Sequence, residues 1–102
     1  MGHGPYQLKR GATVLGAVDS LGPARATGWL EGSLQPAAAW GAVAPLFEAE
    51  ATALQHADRW PDAWQDAWDA AQGPGMALVD ADGKVWAVGA HVEGLALRVQ
   101  LS

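Results

Sequence analysis

The chain has 102 residues, half of them apolar, with no Cys and with eleven Asp or Glu against six Lys or Arg. That length allows one core, burying roughly two-thirds of the surface an unfolded chain exposes, and the missing thiols exclude disulfides, thiolate nucleophiles and thiolate metal ligands. Charged residues interrupt every stretch that could supply the ~20 apolar residues of a membrane span, and no secretory signal is visible, so the expectation is a soluble, cytoplasmic protein that touches no membrane.

Residues 1–4 read as a flexible leader and 5–102 as a single α+β domain. Three short extended pieces open it: Tyr6 to Arg10, Thr13 to Val18 and Gly28 to Leu34. The first two are expected to pair as a hairpin through Arg10-Gly11, where Gly supplies the positive φ of a tight turn. Asp19-Ser20-Leu21-Gly22-Pro23 is rich in turn residues and is expected to be a loop. From Pro36 the period changes to that of a helix, with Trp40, Val43, Phe47 and Leu54 on one side. Pro36 suits a first helical turn, with Ser33 helping to cap it, and Pro45 predicts a kink or break near Ala44. A second helix is expected from Pro61 to Gln72, stopped by Gly73-Pro74-Gly75.

Period two then returns. Met76 to Val79 and Lys84 to Val88 flank the hairpin connection Asp80-Ala81-Asp82-Gly83. His91 to Gly94 is expected to be a turn, and the last run places Leu95, Leu97, Val99 and Leu101 on one face. Three strands, two helical segments and three strands predict a two-layer α+β domain, an antiparallel sheet covered on one face by two helices.

Charge and chemistry-bearing residues narrow the function. Six of the eleven acids and one base fall between Glu48 and Asp69, and the six basic residues are scattered, which argues against a phosphate-binding surface and so against nucleic acid. Asp80 and Asp82 resemble the start of a calcium loop, but its twelfth position falls on His91. His3, His56 and His91 lack metal-ligand spacing, no Ser sits in a Gly-x-Ser-x-Gly elbow, and no Lys-Ser or Lys-Thr follows the glycines. No catalytic, metal or cofactor residue is therefore named.

The tryptophans are the anomaly. Trp60, Trp64 and Trp68 recur every four residues, with Asp62, Asp66 and Asp69 beside them, while Trp29 and Trp86 read as sheet-face residues. An apolar centre rimmed by acids is what a small interface looks like. The leading expectation is a non-enzymatic interaction domain that meets a protein partner or a second copy of itself through Trp60, Trp64, Trp68, Asp62 and Asp66. The alternative is a ligand-binding protein or enzyme with an apolar pocket between sheet and helices, lined by Trp40, Trp64 and Trp86, with His56 or His91 as its titratable group.

The order Tyr6-Gln7-Leu8, Val14-Leu15-Gly16-Ala17-Val18, Trp29-Leu30-Glu31-Gly32, Pro36 with Trp40, Ala44-Pro45-Leu46-Phe47-Glu48 and Leu78-Val79-Asp80-Ala81-Asp82-Gly83 resembles a group of short uncharacterised proteins from high-G+C bacteria. The resemblance covers most of the chain and implies no activity.

Overall fold

The computed structural model describes residues 4–23 and 28–101. Met1 to His3 of the expected leader, the last residue of the expected domain and part of the stretch before the third strand lie outside them. The strands are β1 (Tyr6–Arg10), β2 (Thr13–Pro23), β3 (Leu30–Pro36), β4 (Met76–Val79), β5 (Val85–Glu93) and β6 (Ala96–Leu101), with helices α1 (Trp40–Leu54) and α2 (Pro61–Gln72) between β3 and β4. Among the described residues no helix is long and apolar enough to cross a membrane.

The expected two-layer sheet is not what forms. The six strands close into an antiparallel barrel in the order β1-β2-β3-β6-β5-β4. Both meanders exist, but each uses both of its edges: β1 pairs with β4 from Gln7↔Val79 to Arg10↔Met76, and β3 pairs with β6 from Leu30↔Val99 to Ser33↔Ala96. Closure removes every open edge. A barrel this narrow holds only its own side chains, and the interior is filled by Leu8, Leu15, Val18, Leu34, Met76, Leu78, Val88, Ala90, Val92, Leu97 and Val99 together with Phe47 from α1.

Closure needs strongly bent strands, and β2 supplies them. Leu8 pairs with Gly16 but Lys9 with Val14, so Leu15 is an extra residue bulged from the ladder. A second irregularity lies between Asp19 and Gly22, where Ser20 takes φ 58°. The turn residues expected to form a loop therefore form a bulge inside an eleven-residue strand, which increases its local twist. Gly16 marks the tightest approach: a Cβ there would lie 2.3 Å from the Gln35 carbonyl oxygen on β3.

Three further boundaries differ from expectation. Pro36 ends β3, opposite Gly16, and α1 starts four residues later at Trp40 with no side-chain cap. Ser33 is therefore a strand residue, and proline is tolerated because a strand end leaves its missing N–H unneeded. Helix α1 runs unbroken through Pro45, held by Phe47 in the core and by the Trp40 ring 5.2 Å from it. Strand β5 continues to Glu93, and the turn narrows to Gly94-Leu95, with Gly94 at φ 64°. His91 is thus a strand residue.

The second helix follows expectation and is tied down at its C-terminal end. Arg10 of β1 donates from Nε and Nη2 to the carbonyls of Ala71 and Ala70, both at 3.0 Å. A cation there satisfies orphan carbonyls and opposes the negative end of the helix dipole. The Gln72 amide donates to the Ala90 carbonyl and accepts from the Ala90 N–H, at 2.8 and 2.9 Å. Because β4 pairs with β5 only as far as Val88, Gln72 acts as one more strand residue beyond its end.

The Asp80 hairpin also forms as expected. Asp80 Oδ1 accepts from the N–H groups of Asp82 and Lys84, both at 2.9 Å, and Oδ2 accepts from the Trp86 indole at 3.2 Å. Burial pushes the Asp80 pKa up, but the Lys84, Trp86 and Asp82 donors and the Lys84 charge outweigh it and hold the carboxyl below its ordinary 3.8.

Gly16→Ala should therefore destabilise the fold by about 1–3 kcal/mol through forced strand separation, whereas Gly22→Ala, with no atom of the described residues beyond its chain neighbours within 4 Å of the added methyl, should be neutral or stabilise by up to about 1 kcal/mol; urea melts of the two variants check this. A depressed pKa in the folded state contributes stability at pH values above the unfolded 3.8, and that contribution is lost as pH falls through the lower folded value. The stability gap between wild type and Asp80→Asn should accordingly be full at neutral pH and shrink below about pH 3.8, in melts recorded across that range.

Candidate functional site

The site lies on the outer wall of the barrel, beneath the helices. Along β5, Val88, Ala90 and Val92 point into the core, so Gly89 and His91 point outward. On β6, Leu97 and Val99 point inward and Arg98 outward; Arg98 is the cross-strand partner of His91. One strand further, Arg98 pairs with Glu31 of β3, with Nε 3.3 Å from Glu31 Oε1. The wall thus carries a row of Glu31, Arg98 and His91.

Helix α1 brings an acid to this row. Phe47, Glu50 and Ala51 form its buried face, and Glu50 is 0 % exposed. Its Oε1 lies 2.5 Å from His91 Nδ1, and its Oε2 accepts from the Trp64 indole N–H of α2 at 2.8 Å. A carboxylate only accepts, so Nδ1 carries the proton of the first bond. Taking an unpaired carboxylate out of water costs several kcal/mol, and two donors, one on each oxygen, offset that.

The helix α2 rings sit beside this pair. Trp64 and Trp68 have centroids 5.8 Å apart and planes tilted by 37°. Trp68 rests on Gly89, where a Cβ would come within 2.8 Å of its ring, so the glycine is what lets the indole lie against the strand. Between wall and helices remains a cleft of about 120 Å³, lined by Trp29, Glu50, Leu54, Trp64, Trp68, His91 and Arg98.

His91 is 7 % exposed. Among the described residues only its Nδ1 has a protein partner. Among the described residues no buried side-chain nitrogen or oxygen lacks a hydrogen bond, so Nε2 is reached from the cleft. With Nδ1 turned to Glu50, Nε2 faces the cleft in a direction fixed by the buried acid. Among the described residues the lining contains no Ser, Thr or Lys, and no three His, Asp or Glu stand close enough to hold a metal ion.

The residues expected to form an interface are dispersed. Trp60 precedes α2 and is 57 % exposed, with the Arg59 guanidinium 5.3 Å from its ring and the His56 ring 6.4 Å away. Trp64 and Trp68 turn toward the barrel and line the cleft, while Asp62 and Asp66 are exposed. Of the expected pocket, the structure joins only Trp64 and His91. Trp40 stacks on Phe47, Trp86 belongs to the Asp80 hairpin under Lys84, and His56 is exposed beyond α1.

Glu50, Trp29, Leu54 and Arg98 were not singled out by spacing as one site. Glu50 carried a signal: it stands three residues after Phe47 and four before Leu54, an acid within an apolar helical stripe. Trp29 and Arg98 carried none, because strand periodicity says which face a residue takes and not which strand comes next. Comparison with protein-family models, with curated proteins and with solved structures finds no match, so the site is read from its geometry.

Glu50→Ala strands the Trp64 and His91 donors in a buried place and should cost about 3–5 kcal/mol. Glu50→Gln keeps one acceptor and should cost less, about 1–3 kcal/mol. Denaturant unfolding of both variants checks the order.

Proposed function

We propose that this protein binds a small organic ligand in the cleft between barrel wall and helices. A flat apolar part lies against the indoles of Trp29, Trp64 and Trp68, and a polar group meets Nε2 of His91. The observation that carries this reading is the imidazole: a nearly buried ring, aimed by a fully buried acid, with its second nitrogen left to the cleft. A mostly apolar concavity with a few convergent polar groups is the usual form of a small-molecule site. In this reading His91 serves as a hydrogen-bonding contact to the ligand.

A second reading rests on Trp60. Its exposed ring borders a shallow groove between the helices, with Ala49, Thr52, Ala53, His56, Arg59 and Ala63 along it. Exposed Trp beside Arg is a frequent anchor of protein interfaces, and a second copy of the chain or another protein could seat there. Self-association reduced by Trp60→Ala in light scattering would favour it.

Titration with single-ring aromatic fragments, followed by indole N–H resonances, separates the two readings. Binding in the cleft should shift the signals of Trp29, Trp64 and Trp68 and leave Trp40 unchanged. Leu54→Tyr, which narrows the mouth at a surface position, should weaken that binding by roughly tenfold or more. Fragments that move Trp60 alone, or that bind the Leu54→Tyr protein as well as wild type, would contradict the cleft as the site.

A further inference from the structure

We infer that the cleft selects an anion, a small aromatic carboxylate, and that Arg98 is the residue that selects it; this rests on the cleft being the binding site proposed above. Three indoles beside a carboxylate suggest at first the opposite ligand, a quaternary ammonium held by ring faces. The geometry opposes that. Among the described residues Glu50 is the only acid in the lining, and each of its oxygens already accepts an N–H from the protein, at 2.5 and 2.8 Å. Its charge is turned toward His91 and Trp64. Among the described residues the cation that lines the cleft is Arg98.

Arg98 is free to act. Its Nε is 3.3 Å from Glu31, both side chains are about half exposed, and exposed pairs of this kind hold weakly. Among the described residues, Nη1 and Nη2 have no protein acceptor, which leaves two donors of the guanidinium fork for a carboxylate. As cross-strand partners, Arg98 and His91 emerge side by side on the wall. A ligand carboxylate on the fork therefore brings the attached ring toward the indoles and its edge toward Nε2. The volume, about 120 Å³, is of the order of a cavity that holds one benzene ring.

The test uses three probes of one size: benzoate, its neutral analogue benzamide, and the cation benzyltrimethylammonium, titrated against the intact chain by calorimetry and indole N–H shifts. Benzoate should bind with Kd on the order of a millimolar and about tenfold tighter than benzamide. Arg98→Gln should erase that tenfold preference and leave the thermal melt unchanged. Glu31→Gln, which removes the competing acid, should tighten benzoate. If benzamide and benzoate bind equally in wild type, or if benzyltrimethylammonium binds tightest, the anion inference falls while the cleft stands as a site. If no probe moves the three cleft indoles, both fall.

Discussion

A buried carboxylate joins the three parts of this molecule. Glu50 leaves α1, meets a strand residue through one oxygen and an α2 residue through the other, and so ties both helices to the barrel wall at one point. An ion-sized group with no exposure is stable only with its donors in place. Each of His91 and Trp64 is in turn oriented by that need. The cleft lies beside this contact, with Glu50, His91 and Trp64 all in its lining.

The barrel and the helices prepare the contact from opposite sides. Bulges in β2 let six strands close, which sets β5 and β6 next to each other and presents His91 beside Arg98 on the outer wall. Phe47 in the core fixes the rotation of α1, and Glu50, one turn on, inherits it. Arg10 and Gln72 fasten the end of α2, which adds to the Glu50 contact in holding the helix that carries Trp64 and Trp68. The chain's alanines leave room on the outside of this arrangement, where Ala49, Ala53 and Ala63 line the groove between α1 and α2.

Much of this was legible in the residues, and the limits are physical. Both meanders, helix α2 with its glycine stop, and the Asp80 hairpin follow from local chemistry: period two, period 3.6, positive-φ glycines, an Asp accepting N–H bonds in a turn. Closure into a barrel was not legible, because alternation in β1 and β3 reports an inner and an outer face but not which strand lies along the far edge. Asp19 to Pro23 misled for a related reason: the same residues that make a loop also make a bulge. His91 to Gly94 reads as a turn before the last strand, but β5 runs on past Val88 to Glu93, and those five more residues of strand set His91 in a buried wall. Spacing grouped Trp64 and Trp68 correctly as one face, yet Trp60, four residues earlier, falls outside the helix and faces solvent.

The tautomer of His91 tests the whole arrangement most directly. In long-range proton–nitrogen NMR of the imidazole, the contact with Glu50 requires a protonated, exchange-protected Nδ1 with a proton far downfield, absent from Glu50→Gln. A ring whose Nδ1 carries no protected proton, or one unchanged when Glu50 is replaced, would mean that the acid does not bind the wall and that neither the cleft nor the placement of α1 is as described.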